Sequence, residues 1–146
     1  MIAIGNDHAA VEMKNFVVDF LRQDGYEVED FGCDKGEKCD YPDKAREVAE
    51  AVASGKYEKG ILLCGTGIGM SIAANKVKGI RAAVCRDVFE ARMSAGHNDA
   101  NILCMGQRVI GIGVAESIVK AWLNTEFEGG RHERRLNKIT DIENQQ

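Results

Sequence analysis

The feature that most constrains the fold is the alternation of short apolar runs with amphipathic segments. The run Ile2-Ala3-Ile4 is followed by apolar side chains at steps of three and four residues, namely Met13, Phe16, Val17, Phe20 and Leu21. This spacing is typical of one face of a helix, whereas a short run that is apolar throughout is typical of a strand buried on both faces. The chain is therefore predicted to begin with a strand and an amphipathic helix.

The same alternation continues along the chain. Further strands are predicted at 26–31, 60–64, 80–85 and 102–105, and further helices at 42–52, 72–76, 88–94, 114–123 and 131–142. Strands that alternate with helices favour a parallel sheet covered on both faces and joined by right-handed crossovers. The predicted fold class is α/β, a three-layer Rossmann-like sandwich with a five-stranded parallel sheet and a C-terminal helical extension.

Composition excludes several classes of partner. The 146 residues are 45% hydrophobic, which is enough for one domain with a well-formed core. The net charge is −4, and Lys and Arg are scattered until a short basic cluster at 131–135, so we expect no nucleic-acid partner. No segment approaches the roughly 20 consecutive apolar residues of a membrane span, so we expect a soluble protein without a membrane partner.

The cysteines and histidines predict a reducing environment and no metal. The five cysteines are an odd number, and Met1 leads directly into an apolar run without a signal peptide. We therefore expect a cytoplasmic protein. No pair is spaced Cys-x-x-Cys and the three histidines are far apart in the sequence, so we expect no structural zinc site.

Three polar segments follow predicted strands, where parallel sheets bind their ligands. They are Asn6-Asp7-His8, the stretch 64–71 and Arg86-Asp87. The stretch 64–71 is the most informative, because its three alternating glycines allow backbone amides to bind an anion at the start of a helix. Those amides and the helix dipole would favour a thiolate at Cys64, although a buried structural cysteine is the alternative. The structural interpretation is preferred for the other four thiols, Cys33, Cys39, Cys85 and Cys104.

Asp7 and His8 are candidates for acid–base chemistry at the end of the first strand. Asp7 is equally suited to cap the following helix. The charge of His8 can be tuned by Asp7 or by a bound phosphate, which favours a functional role.

Two further polar segments can be explained either as solvent-exposed surface or as parts of a binding site. His97-Asn98-Asp99 follows the fourth predicted helix and so lies at the amino edge of the sheet, opposite Cys64; it is either a polar turn or part of a neighbouring subunit's site. Arg131 and Arg135, four residues apart on the last helix, can hold a phosphate from two sides or form a solvated basic face. Arg108, just past the fifth strand, is a third possible phosphate ligand.

Five segments stand in order along the chain: Gly5-Asn6-Asp7-His8, Asp40-Tyr41-Pro42, 64–76, 97–101 and Glu128-Gly129-Gly130-Arg131-His132. Together they resemble the type B ribose-5-phosphate isomerases, the family that also holds the galactose-6-phosphate isomerase subunits. The likeness extends from Met1 to about Ile142, and the run 64–76 is its most specific part.

The resemblance implies an isomerase that interconverts ribose 5-phosphate and ribulose 5-phosphate by cysteine-based proton transfer through an enediolate, with no metal and no cofactor. It also implies one sugar-phosphate isomerase domain, 1–146, in which 129–146 is a C-terminal helix at the interface of a homodimer or a dimer of dimers. The partner chain would donate His97 and Asn98 to each site, which accounts for their place at the opposite edge.

The resemblance also assigns roles. Cys64 is the base that removes the proton from C2, and His97 with Asp7 opens the furanose ring. The enediolate is surrounded by the Thr66 hydroxyl and by amides of Gly65, Gly67, Gly69 and Ser71. The phosphate is bound by His8, Arg108, Arg131 and Arg135, and Tyr41 is a substrate contact. Some relatives use a glutamate further along as the base; Asn75 stands there in this chain, which supports Cys64.

Two alternatives remain open. A six-carbon substrate such as allose 6-phosphate or galactose 6-phosphate would need the same chemistry in a slightly longer pocket. A sugar-phosphate sensor without catalysis would keep the phosphate ligands and would have no need of a base at Cys64.

Overall fold

The computed structural model describes all 146 residues and contains five strands that alternate with six helices. The elements are β1 Ile2–Asn6, α1 Val11–Gln23, β2 Val28–Asp30, α2 Tyr41–Ala53, β3 Lys59–Cys64, α3 Ile68–Ala74, β4 Ala82–Val84, α4 Val88–Gly96, β5 Ile102–Gly106, α5 Ile112–Leu123 and α6 Arg131–Asn144. A short 3₁₀ helix, His8–Ala10, joins β1 to α1 and was not predicted.

All five strands are parallel, in the order β2-β1-β3-β5-β4. The predicted α/β sandwich is confirmed. The chain moves outward from β1 to β2 and then returns across β1 to β3, so the direction of winding reverses between β1 and β3. Ligand crevices of open parallel sheets form at such a reversal. Asn6 pairs with Leu63 across these strands, which brings the loops after β1 and β3 side by side.

The sheet separates two apolar layers. On one face α1, α4 and α5 bury Trp122 against Ile4, Leu63 and Leu103. On the other face α2 and α3 pack against side chains such as Leu62. Because successive strand residues point to opposite faces, one continuously apolar strand supplies both layers.

The edge strands are shorter than predicted. β2 and β4 each span three residues, whereas the sequence predicts strands at 26–31 and 80–85. Each pairs with one neighbour only, β2 with β1 and β4 with β5. An edge strand has fewer hydrogen bonds to extend its ladder, so its polar and turn-forming ends remain outside the sheet.

Helix α6 packs least closely on the rest of the chain. Its one buried residue is His132, while Ile139 and Ile142 are 50% and 61% exposed. A cavity of about 520 Å³ separates α6 from the segment around β4. No helix of the chain is both long and apolar enough to cross a bilayer.

Candidate active site

A cavity of about 490 Å³ lies at the carboxyl edge of the sheet, beside β1 and β3. This carboxyl-edge cavity falls within the range of about 300–1,000 Å³ that is usual for small-molecule sites. The polar segments predicted after β1 and β3 meet here, whereas Arg86-Asp87 after β4 does not line the cavity. The lining includes Asp7, His8, Tyr41, Cys64, Thr66 and Arg108.

The loop after β3 presents the Cys64 sulfur to backbone amides. The Cys64 side chain is buried, and the Gly67 N–H donates a hydrogen bond to its Sγ atom at 3.0 Å. Gly67 has φ +82°, and a Cβ atom there would lie 3.0 Å from the backbone of Met105 on β5. Glycine is therefore required for the loop to turn so close to β5. The loop thus directs one of its amides at the Cys64 sulfur.

Several amides of the same loop remain free. The amides of Gly65, Thr66, Gly69 and Met70 donate no hydrogen bond within the chain, and the first three of these residues line the cavity. The resemblance assigned the amides of Gly67 and Ser71 to the enediolate, but both donate to other acceptors. The Gly67 amide donates to the Cys64 sulfur, and the Ser71 amide donates to the Gly67 carbonyl at 3.1 Å. The anion-binding amides available in this loop are thus partly different from those expected.

Three of the remaining thiols are held protonated. Burial raises the pKa of Cys33 to about 12, and burial also raises the pKa of Cys85 and, most strongly, that of Cys104. Cys104 lies fully buried on β5. None of these three groups is suited to act as a base near neutral pH.

Asp7 and His8 are held by short-range contacts at the rim of the cavity. The Asp7 carboxylate is buried and accepts a hydrogen bond from the Ala9 amide at 2.9 Å, which is the capping interaction considered in the sequence analysis. The Nδ1 atom of the exposed His8 ring lies 3.2 Å from the Cys39 carbonyl oxygen. If Nδ1 carries the proton, Nε2 is left available to a ligand.

Tyr41 and Arg108 close two sides of the loop. The Tyr41 ring lies so near Gly69 that a Cβ atom at that position would overlap it. The Arg108 guanidinium lies over Gly65, where an added Cβ atom would be 3.3 Å from Nη1. Asn75, at the end of α3, instead has a structural role, because its side chain exchanges two hydrogen bonds with the backbone of Ala82 on β4.

The other predicted residues lie away from this cavity. His97 follows the last residue of α4 and Asn98 lies in the next turn, both before β5 and hence at the amino edge, as predicted. Arg131 and Arg135 lie on the exposed first turns of α6. None of these four residues lines the carboxyl-edge cavity.

His97 belongs to a compact group that we call the His97 cluster, composed of His97, Glu128 and His132. The ligand atoms of the three side chains lie within 4.8 Å of one another, which makes this the one group of such residues that could hold a metal ion. The two imidazole rings are stacked, however, with an interplanar angle of 14°. Their nitrogen lone pairs therefore run side by side, whereas zinc requires them to converge at about 2.0–2.1 Å.

Glu128 and His132 were not singled out as site residues in the sequence analysis. They are separated from His97 by more than 30 positions, and only the turn at Gly129-Gly130, with φ of +68° and +57°, brings α6 back to the end of α4. The only local feature of the sequence that could have drawn attention to Glu128 and His132 is the Gly129-Gly130 pair that lies between them.

Comparison with known proteins identifies the family. A family model described as ribose/galactose isomerase matches residues 2–139. This chain belongs to the ribose/galactose isomerase family. It is 50% identical over 142 residues to ribose-5-phosphate isomerase B of Escherichia coli, covering 97% of this chain and 95% of the relative. It is also 49% identical over 146 residues to a D-erythrulose-4-phosphate isomerase of Pectobacterium atrosepticum, covering 99% and 96%.

The structural comparison agrees. The solved structure of ribose-5-phosphate isomerase B from Clostridium thermocellum superposes with a TM-score of 0.97 at 56% identity, covering 99% of this chain and 97% of the other. The chain is therefore an aldose–ketose isomerase of phosphorylated sugars, as the resemblance predicts.

Proposed function

We propose that this isomerase interconverts ribose 5-phosphate and ribulose 5-phosphate, with the Cys64 thiolate as the base. The observation that carries the proposal is the Cys64 sulfur, which accepts the Gly67 amide at 3.0 Å inside a cavity lined by further free amides. Isomerisation beside a carbonyl needs both features, because a base must remove a proton while negative charge develops on oxygen.

In the proposed reaction, Cys64 removes the proton from C2 of the open-chain aldose. The electron pair forms the C1–C2 double bond of an enediolate, whose charged oxygen is stabilised by the free amides of Gly65, Thr66 and Gly69. The Thr66 hydroxyl carries a proton between the two oxygens, and Cys64 returns its proton to C1. His8 and Arg108 at the rim of the cavity bind the phosphate.

Catalysis on the cyclic sugar also requires a group that opens the furanose ring. His97 is the proposed group, yet it lies at the amino edge of the sheet while Cys64 lies at the carboxyl edge. We therefore propose that the enzyme is a homodimer, or a dimer of dimers, in which His97, Asn98, Arg131 and Arg135 of one chain complete the cavity of the other. The exposed apolar side chains of α6 support an interface there.

Subunit complementation tests the shared site. Cys64→Ala and His97→Ala should each lose most turnover, and the Cys64→Ala enzyme should still bind substrate because the thiolate acts mainly in the transition state. When the two variants are mixed in denaturant and refolded together, half of the dimers are mixed and each mixed dimer has one intact site, so about a quarter of wild-type activity should return. If both residues served the same chain's site, no activity would return.

Substrate choice is tested by measuring kcat/KM for ribose 5-phosphate, allose 6-phosphate, galactose 6-phosphate and D-erythrulose 4-phosphate side by side, with a chelator present. The four-carbon substrate is included because one relative at 49% identity is named for it. Preference for ribose 5-phosphate supports the proposal. Preference for another sugar would keep the chemistry and change the substrate, while binding without turnover would favour a sensor.

A further inference from the structure

The two rings of the His97 cluster are arranged as a stacked pair. Their centroids are 4.0 Å apart and their planes are inclined by 14°. The side chain of His97 is 33% exposed, whereas that of His132 is 7% exposed. One ring is therefore open to a ligand and the other forms a buried wall behind it.

Glu128 contacts both rings through its two carboxylate oxygens. Its Oε2 atom lies 3.3 Å from Nε2 of His97, and its Oε1 atom lies 3.8 Å from Nε2 of His132. The first distance is a close charge contact without hydrogen-bond geometry, and the second is longer still. The carboxylate charge beside Nε2 favours a proton on that nitrogen, which leaves Nδ1 of His97 as the nitrogen that is free to accept a proton.

The backbone around the cluster fixes this arrangement. The Glu128 amide donates to the carbonyl of Gly96, the last residue of α4, at 2.9 Å. A Cβ atom at Gly96 would lie 2.9 Å from Oε2 of Glu128, so a larger residue there would displace the carboxylate. The His132 amide donates to the Gly129 carbonyl at 3.1 Å, which anchors the start of α6 behind His97.

His132 itself has an unusual environment. Its Nε2 atom is buried and has no hydrogen-bond partner. Burial, the neighbouring His97 and the positive charge of Arg131 lower the pKa of His132, with a smaller contribution from Arg135, while Glu128 opposes them. The ring therefore stays neutral near pH 7, and it does not compete with His97 for the carboxylate.

We propose that Glu128 and His132 are positioning residues for His97, which hold its ring plane and its tautomer so that Nδ1 can exchange a proton with the ring oxygen of the sugar. The inference rests on the proposed function, because it gives His97 the ring-opening step. Glu128 fixes which nitrogen carries the proton, and His132 prevents the ring from rotating away. Neither residue touches the substrate.

Two assays separate ring opening from the rest of the reaction. Consumption of ribose 5-phosphate, which is mainly cyclic in solution, requires ring opening. Ribulose 5-phosphate cannot close a five-membered ring, because its C5 oxygen carries the phosphate. Exchange of its C1 hydrogen with deuterium from D₂O, followed by NMR, therefore reports proton transfer at Cys64 without the ring-opening step.

Glu128→Gln and His132→Ala should lower kcat for ribose 5-phosphate by about tenfold to a hundredfold, since misplacement of about 1 Å has an effect of this size. KM for ribose 5-phosphate and the rate of C1 exchange should change by less than about twofold relative to wild type. Glu126→Gln, a change to a nearby exposed carboxylate outside the cluster, should alter neither rate. Cys64→Ala should abolish both.

Two outcomes would overturn the inference. If the variants lose ribose 5-phosphate turnover and C1 exchange in parallel, Glu128 and His132 act on the whole fold. If neither rate falls, the two residues do not position His97. Glu128 is exposed, so Glu128→Gln remains informative even if His132→Ala does not fold. A wild-type protein that exchanged the C1 hydrogen of ribulose 5-phosphate but failed to consume ribose 5-phosphate would refute the role of the cluster while leaving the Cys64 chemistry in place. One that did neither would refute the proposed function itself.

Discussion

Gly67→Ala tests whether the catalytic loop depends on its close approach to β5. Alanine at φ +82° incurs a left-handed conformational cost of about 1–2 kcal/mol. The added Cβ atom would also lie between 3.0 and 3.2 Å from three backbone atoms of Met105. Backbone atoms cannot move aside as a flexible side chain can, so overpacking should add about 1–3 kcal/mol. The free energy of unfolding should fall by about 2–5 kcal/mol in total.

Gly55→Ala is the matched control. Gly55 has φ +85°, and no heavy atom lies within 4 Å of a Cβ atom built there, so only the conformational cost of about 1–2 kcal/mol applies. Urea unfolding at equal protomer concentration can be followed by the fluorescence of Trp122, the only tryptophan and a fully buried one. Gly67→Ala should also lower kcat, because the amide that binds Cys64 moves with the loop. Equal losses of stability in the two variants would refute the steric argument.

Three further predictions concern other charged groups. Asp30→Asn should lower the free energy of unfolding by about 1–3 kcal/mol in urea titrations, because the buried Lys14 ammonium loses the carboxylate now 2.7 Å away and keeps only that of Asp34 at 3.6 Å. Lys14→Met should lower it clearly less, and equal losses would contradict this. The pKa of His132 lies below its ordinary 6.5, so the unfolded state takes up that proton first and stability should fall as the pH drops below about 6.5. In thermal unfolding, the melting temperature of His132→Gln should fall less than that of wild type as the pH is lowered. Identical pH profiles of the two melting temperatures would argue against a neutral His132. Arg135→Ala should raise KM for ribose 5-phosphate strongly, with a smaller effect on kcat in steady-state assays, and an unchanged KM would remove Arg135 from the site.

The central part of the fold could be predicted from the sequence because its signals are local. β1, β3 and β5 contain the buried apolar runs Ile2–Ile4, Ile61–Cys64 and Ile102–Met105, and the helix that includes Val48 and Val52 has one apolar face. The ends of β2 and β4 could not be predicted, since the length of an edge strand depends on how far its single neighbour continues to pair. The 3₁₀ turn at His8–Ala10 depends on the Asp7 side chain, which can equally begin an α-helix directly.

The candidate site was predictable to different degrees at the two edges of the sheet. Cys64 and its glycines are contiguous in sequence, so one loop contains both the sulfur and the amides that surround it. Which amides are free could not be predicted, because this depends on the Gly67 amide turning to the sulfur. The His97 cluster joins α4 to α6 through tertiary contacts alone, and no spacing in the sequence indicates that Glu128 reaches back to His97.

The position of the His97 cluster also explains why the C-terminal helix α6 contributes functional residues and no core residues. The two apolar layers are complete without α6, none of whose residues belongs to either core. The helix instead supplies His132, the two arginines proposed to bind phosphate, and the exposed apolar residues Ile139 and Ile142. In the proposed dimer these features act together, because the helix that joins two chains is the one that holds His97 against the neighbouring cavity. A single chain can thus bury a complete core and still lack a complete active site, so association would be needed for activity more than for folding.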